Sequence, residues 1–257
     1  MGIQDLLAEE LRDSVSVGIG MSGEPFERTA RQLATRAPTL HLRSFKSAVS
    51  LAAALRAGKI EAAVRGTLSS SAVIRELKRA FRLDRLMRSA IVQDSSGRVF
   101  MLLPVGIDEG MTARARLSMV MAALSYFSPL GWSPSVGVLS KGRLEDGFRG
   151  AEIARSLKEG EWLASELTNR GVKAEHCGIL VEDAVSRHEV VVAPDGVSGN
   201  LMFRTLHFLG GCRAYGAPVV NMEKVFVDTS RAKSDYSDSL LMAARLAVMK
   251  SGLKEAP

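Results

Sequence analysis

The sequence predicts an α/β protein built as two lobes, and three observations carry that reading. Strand-like and helix-like patterns alternate from Ser14 to Met87. The apolar residues make up 46% of 257, yet aromatics only 5%, so the core is Leu, Val, Ala, Ile and Met, as in proteins with buried parallel strands. From Ser89 the pattern turns hairpin-like, which marks a second lobe.

Leu6 to Arg12 reads as a short amphipathic helix and Ser14 to Gly20 as a buried strand. Helix is expected over Phe26 to Arg36, strand over Thr39 to Phe45, and helix over Ala48 to Ala57, with Gly58 as its C-cap. Ile60 to Val64 is a strand, Arg65 to Ser71 a polar turn, and Ala72 to Met87 a helix with Ile74, Leu77 and Phe81 inward. In the second lobe Ala90 to Gln93 and Val99 to Val105 form a hairpin around Asp94-Ser95-Ser96-Gly97. There follow a helix over Thr112 to Phe127, a strand over Ser135 to Ser140, a basic loop at Lys141-Gly142-Arg143 and a helix over Ala151 to Arg170. Two short strands at Gly178 to Val181 and Glu189 to Ala193, a helix over Asn200 to Leu209, a strand over Lys224 to Val227 and a helix over Ser237 to Lys250 complete the chain. The lobes are expected at residues 1–88 with 226–257, and at 89–225.

The N-terminus MGIQDLLAEELRDS is polar and acidic, without the basic and apolar regions of a leader, and no apolar run reaches spanning length. A cytoplasmic protein without membrane attachment is expected. The net charge of +6 and pI near 9.5 point to an anionic partner. Nucleic acid is disfavoured, because no aromatic residues are placed to stack bases along the basic series Arg75, Lys78, Arg79, Arg82, Arg85 and Arg88, Phe81 facing inward. No metal site is expected: Cys177 and Cys212 lie far apart, and the adjacent His176 and Cys177 would face opposite sides of a strand.

Four clusters carry chemistry. Gly18, Gly20 and Gly23 fit G-x-G-x-x-G after a strand, the mark of an NAD(P)-binding loop. The second strand carries no acidic residue for a ribose and Glu24 would repel a pyrophosphate, so a plain strand-to-helix turn is the favoured reading. Gly66 with Ser69, Ser70 and Ser71 places hydroxyls and flexible backbone at a helix start, which suits an anion, and equally an ordinary cap. The stretch PDGVSGNLMFR contributes Asp195, Ser198, Gly199 and Asn200, more polar groups than a connector requires. VDTSRAKSDYSD sets Ser230, Arg231 and Asp238 between a strand and a helix, an inventory for base, oxyanion stabiliser and phosphate clamp.

Those last two stretches resemble the phosphate acetyl/butyryltransferase family, with its PD-x-N-[TC]-G-N-x-x-Y-K and DLSRG…D segments. GKIEAAVRGTLSSSAVIR is similar to that family's serine-rich segment, Val136 to Ser140 to its V-A-M-L-S strand, and Cys177-Gly178 with Glu182-Asp183-Ala184 to its D-G-E-L-Q-x-D-A. The order holds from Gly58 onward, and the short N-terminal lobe resembles the methanogenesis-marker branch called MtxX, some members of which are labelled methyltransferase subunits.

The resemblance implies a two-lobe isocitrate/isopropylmalate dehydrogenase-like, phosphotransacetylase-like fold with an interlobe cleft, as a homodimer. It implies an acyl phosphate and coenzyme A, or another phosphorylated small molecule, as substrate, with no tightly bound cofactor. Ser230 and Arg231 would hold oxyanion and phosphate, Asp238 would be the base, and Arg75 the phosphate-side arginine. Gly66, Ser69, Ser70, Ser71, Ser140, Gly142, Asp195, Ser198, Gly199 and Asn200 would line the ligand. Arg65, Ala232 and Lys233 depart from the family pattern and would put bulk or charge against the substrate. A non-catalytic accessory protein, or methyltransferase subunit, that retains the fold is the alternative, and an NAD(P)-dependent enzyme a third.

Overall fold

The computed structural model describes residues 2–252, which divide into two compact units, residues 3–86 with 215–252, and residues 87–214. Residues 215–225 group with the first unit.

The first unit contains α1 (Ile3–Ala8), β1 (Val15–Ile19), α2 (Glu24–Arg36), β2 (Leu40–Ser44), α3 (Ala48–Arg56), β3 (Ala62–Val64), α4 (Ser70–Phe81), β10 (Val225–Asp228) and α9 (Ser237–Ser251). Its strands run β2-β1-β3-β10, all parallel, and Ala217 and Pro218 of β9 (Arg213–Pro218) pair antiparallel with β10. Val17, Ile19, Ala62, Ala63 and Val64 are wholly buried because helices cover both faces, which is why these strands read as apolar runs without alternation. On one face α3 and α4 pack Leu51, Leu55, Val73 and Leu77 against Ile60 and Phe226. On the other, α9 buries Leu240, Met242, Ala243, Ala244 and Leu246 completely. Each large side chain so buried contributes roughly 2 kcal/mol.

The second unit contains β4 (Ala90–Gln93), β5 (Val99–Leu103), α5 (Ala113–Tyr126), β6 (Val136–Leu139), α6 (Ala151–Asn169), β7 (Ala174–Gly178), α7 (Val181–Arg187), β8 (Val190–Val192) and α8 (Gly196–Phe208). Its strand order is β4-β5-β8-β6-β7, with only β4 antiparallel. The hairpin turn is held by Asp94 Oδ1, which accepts from the backbone N–H groups of Ser96 and Arg98 at 2.9 and 3.0 Å.

Several elements differ from the sequence expectation. The first helix occupies Ile3–Ala8, not Leu6 to Arg12. The helix expected over Ala72 to Met87 begins at Ser70 and ends at Phe81, because Arg82 turns into the left-handed region at φ 55. The basic series Arg75 to Arg88 is therefore not one helical face, and Arg88 is buried against Glu109 with 2.5 Å between Nε and Oε1. The strand expected over Gly178 to Val181 lies earlier, at Ala174–Gly178. Gly178 at φ 60 ends it, and the next residues wind into α7, whose first turn carries Glu182 and Asp183 where the helix dipole favours them. Helix α8 starts four residues before Asn200, since Asp195 caps it through a 2.7 Å bond from Ser198 N–H.

That early start depends on glycine. A Cβ on Gly199 would lie 1.9 Å from the Pro104 carbonyl oxygen, and one on Gly196 would lie 1.7 Å from that of Gly106. Asn200 Nδ2 donates to the Val105 carbonyl at 2.9 Å, so three residues of the motif clamp one loop. Gly199→Ala is expected to cost about 3 kcal/mol in urea unfolding, since backbone atoms block the methyl group. Gly147→Ala, whose nearest neighbour would be 3.9 Å away, is expected to change stability by less than about 0.5 kcal/mol. Equal midpoints for the two variants would contradict the clamp.

Candidate functional sites at the strand ends

In open α/β sheets ligands bind beyond the carboxyl ends of strands, where the strand order reverses. In the first unit the chain leaves β1 for β2 on one side and returns to β3 on the other, so the reversal lies between β1 and β3. The loops leaving those strands hold Gly20 and Gly66. A Cβ on Gly66, at φ 61, would lie 2.6 Å from the Gly20 carbonyl oxygen, and that oxygen accepts from Thr67 N–H at 2.9 Å. Gly18 faces Ile60, Phe45 and Leu51, with no room for a side chain. Close packing thus accounts for Gly18 and Gly20, while Gly23 serves as the N-cap of α2 at φ 71.

Beside this turn, Ser69, Ser70 and Ser71 open α4, and the Ser69 side chain makes no capping bond. The helix therefore presents donors and hydroxyls at its positive end. Arg75 is exposed and reaches Glu76 at 3.4 Å. Arg65, expected to add charge where a substrate would lie, is instead buried: it pairs with Asp228 and donates to the Leu68 carbonyl at 3.0 Å, which ties the end of β3 to the end of β10.

The loop after β10 is folded on itself. Ser230 Oγ accepts from Ala232 N–H at 3.2 Å, and Tyr236 Oη donates to the Ser230 carbonyl at 3.2 Å. Lys233 Nζ donates to Ser239 Oγ at 3.2 Å. Asp238, in the first turn of α9, lies 3.8 Å from Arg36. Arg231 is exposed and makes no ion pair among the described residues. Gly66, the serines, Ser230, Arg231 and Asp238 all lie in this unit.

In the second unit the reversal lies between β6 and β8, whose ends carry Lys141 and Asp195. Lys141 Nζ bridges Asp195 Oδ2 at 3.1 Å and Glu152 at 2.8 Å, and these partners hold its pKa above the usual lysine value. Burial would raise the Asp195 carboxyl, but the Ser198 N–H and Lys141 outweigh it and hold it below 3.8. Ser140 is buried, its Oγ 3.0 Å from His176 Nε2, and Gly142 packs where a Cβ would meet Ile153 at 2.7 Å. Ser140, Gly142, Gly199 and Asn200 thus bind the protein to itself, and Lys141 and Asp195 face open space.

That space is a cavity of about 340 Å³ between the strand ends and helices α5 and α6, with Arg116, Lys141, Arg155, Glu152, Glu159 and Asp195 among its walls. It adjoins a groove of about 690 Å³ that shares Thr112, Arg155 and Glu159 and adds Arg114, Lys158 and Trp162. Arg116 is buried and reaches Glu159 at 2.7 Å, Gly110 O at 3.2 Å and Pro194 O, while its Nε has no hydrogen-bond partner among the described residues. Arg155 is exposed and forms no ion pair among the described residues. Glu152, Arg155, Ser156 and Glu159 were not singled out as a group from the sequence; the signal was their spacing, for 152, 155, 156 and 159 share one face of α6.

Because the folded-state pKa of Asp195 is depressed, its stabilisation is complete above the unfolded value of 3.8 and is lost as pH falls below that value and through the lower folded-state pKa. Asp195→Asn keeps a capping side chain but loses the lysine pair. It is expected to be about 1 kcal/mol less stable than the parent at pH 7, with the gap closing below about pH 3.8. A gap constant from pH 7 to 3 in urea titrations would contradict the pairing.

No family model matches the chain. A protein of Methanosarcina acetivorans named "Putative methyltransferase mtx subunit X" is 41% identical over 197 residues, 77% of this chain and 70% of the relative. An uncharacterized methyltransferase of Methanopyrus kandleri is 45% identical over 196 residues, 74% of this chain and 76% of the relative. Among solved structures, a branched-chain phosphotransacylase from Enterococcus faecalis matches with TM-score 0.68 at 15% identity, covering 92% of this chain and 99% of the other. A 4-hydroxythreonine-4-phosphate dehydrogenase from Klebsiella pneumoniae matches with TM-score 0.55 at 12% identity, covering 95% and 86%. These likenesses show the two-lobe α/β fold expected from the sequence, and the identities to the methanogen proteins show that the chain belongs to the family of the mtx subunit X methyltransferase relatives.

Proposed function

We propose that this protein is a phosphate acyltransferase-like cytoplasmic protein of methanogen metabolism that binds an acyl phosphate, a phosphorylated small molecule or a coenzyme A-type ligand. The observation that carries the reading is the groove along α5 and α6. Arg114, Arg155 and Lys158 supply three positive charges there, and its one acidic side chain, Glu159, is already engaged by Arg116. Trp162, Ala113 and Ala154 add an apolar wall for an acyl or pantetheine-like portion. Phosphate takes paired N–H donors from a guanidinium, which makes Arg155 the natural anchor.

Within the first unit, the transfer chemistry implied by the resemblance has Asp238 take the thiol proton, the thiolate attack the acyl carbon, and inorganic phosphate leave with the electron pair of the broken C–O bond. Ser230 and Arg231 steady the oxyanion and the departing phosphate. Gly66, Ser69, Ser70, Ser71 and Arg75 form an anion-binding helix start, and Ser140, Gly142, Asp195, Ser198, Gly199 and Asn200 shape the second unit's strand ends. The exposed guanidinium of Arg231, without an ion pair among the described residues, supports its role, and the hydroxyls of the α4 serines support theirs. No tightly held cofactor enters this scheme.

A second reading is an accessory subunit of a methyltransferase that retains the ligand pocket, and it draws on the printed word "subunit" in the relatives' names. A homodimer is part of the proposal in either case. It is supported by Val197, Leu201 and Phe208, which lie along one side of α8 at 46%, 62% and 38% exposure.

Loss of free thiol on mixing protein, acetyl phosphate and coenzyme A tests transfer, with Arg231→Ala expected to abolish it. Arg155→Ala is expected to weaken calorimetric binding of acetyl phosphate or coenzyme A about tenfold or more. Binding without thiol loss would favour the accessory reading, and no binding of either compound would overturn both. Leu201→Glu is expected to shift sedimentation from dimer to monomer; a monomeric parent would contradict the dimer.

A further inference from the structure

The second unit holds a cluster that the proposed function does not use. Glu175 and Cys177 occupy alternate positions on β7 and so face one side of the sheet. The chain then turns through α7 and brings His188 back to the same place, with the ligand-type atoms of all three residues within 4.8 Å of one another. His188 is 4% exposed, and its ring packs where a Cβ on Gly137 would lie 2.7 Å from Cδ2. Its Nε2 lies 3.3 Å from Glu175 Oε2, an ion-pair distance, and neither ring nitrogen meets strict hydrogen-bond geometry with a partner among the described residues. A buried imidazole left so is costly, and coordination through Nε2 would satisfy one of its two nitrogens.

We infer that Glu175, Cys177 and His188 form a binding site for a borderline-soft divalent metal ion of the zinc class. Thiolate, imidazole and carboxylate are a ligand set for such ions and not for Mg²⁺ or Ca²⁺. Two ligands about 2.0 Å from a tetrahedral zinc are separated by roughly 3.3 Å, which is the separation found between His188 Nε2 and Glu175 Oε2. Arg187 Nη1 donates to the other carboxylate oxygen, Oε1, at 2.6 Å, and so orients Oε2 toward the histidine. Three protein ligands leave a fourth position, and the half-exposed Glu175 opens it to water or a substrate atom. Binding converts the Cys177 thiol to a metal thiolate and releases one proton per ion. The neighbouring His176, on the opposite face of β7, contacts Ser140 and takes no part.

The test uses the full chain, stripped with a chelator and titrated with Co²⁺ and, against a chromophoric competitor, with Zn²⁺. The parent is expected to hold about one equivalent of either ion and to develop a thiolate-to-cobalt charge-transfer band. Cys177→Ser should lose the band and weaken zinc binding about tenfold or more, and the half-exposed position makes Glu175→Gln a variant that keeps the fold and weakens binding similarly. His176→Ala and Cys212→Ser should match the parent. A parent that retains no ion, or a Cys177→Ser protein that keeps parental zinc affinity, overturns the site.

Discussion

Backbone lies on backbone at the points where both units present their loops, and no side chain larger than hydrogen fits between. Gly199 and Gly196 bring the first turn of α8 against the 104–109 loop, and Gly66 brings the turn after β3 against Gly20. The remaining features of each site follow from that closeness. Because α8 starts at Gly196, Asp195 falls at its cap, with one oxygen bound to Ser198 N–H and the other left for Lys141. Because Gly66 seats the β3 loop, Arg65 turns inward to Asp228 and the three serines fall at the start of α4.

Charge is divided along the same lines. Cations that hold the scaffold are buried and paired: Arg65 with Asp228, Arg88 with Glu109, Arg116 with Glu159. Burial pushes the Glu109 carboxyl up, opposed by Arg88, so that pair's ionised form depends on its geometry. Arg155 and Arg231 instead stay exposed without ion pairs among the described residues. A basic chain need not meet nucleic acid to make use of its surplus. A few exposed guanidinium groups suffice for a phosphoryl group.

Much of the fold was legible because buried parallel strands and amphipathic helices write distinct patterns. Ser135 to Ser140 and Glu189 to Ala193 read as strands and contain β6 and β8, and the PDGVSGN motif was visible as an unusually dense turn. What composition could not reveal was why the motif is dense. Two of its glycines answer a steric demand made by Pro104 and Gly106, ninety residues away in sequence. The run Gly178 to Val181 misled because a short apolar run looks alike in strand and helix, and the positive φ of Gly178 ends the strand there. Arg155 was missed because its significance comes from α5, packed alongside, and His188 because it meets Cys177 only after α7 has turned the chain back.

The central claim is that an anionic ligand occupies the groove along α5 and α6. The chain has two tryptophans, Trp132 and Trp162, and only the second is in the wall of that groove. In a Trp132→Phe background the fluorescence of Trp162 can therefore be followed while acetyl phosphate or coenzyme A is added. A ligand in the groove gives a saturable change that disappears with Arg155→Ala. A signal that stays flat with both compounds, or that saturates equally well without Arg155, would contradict it.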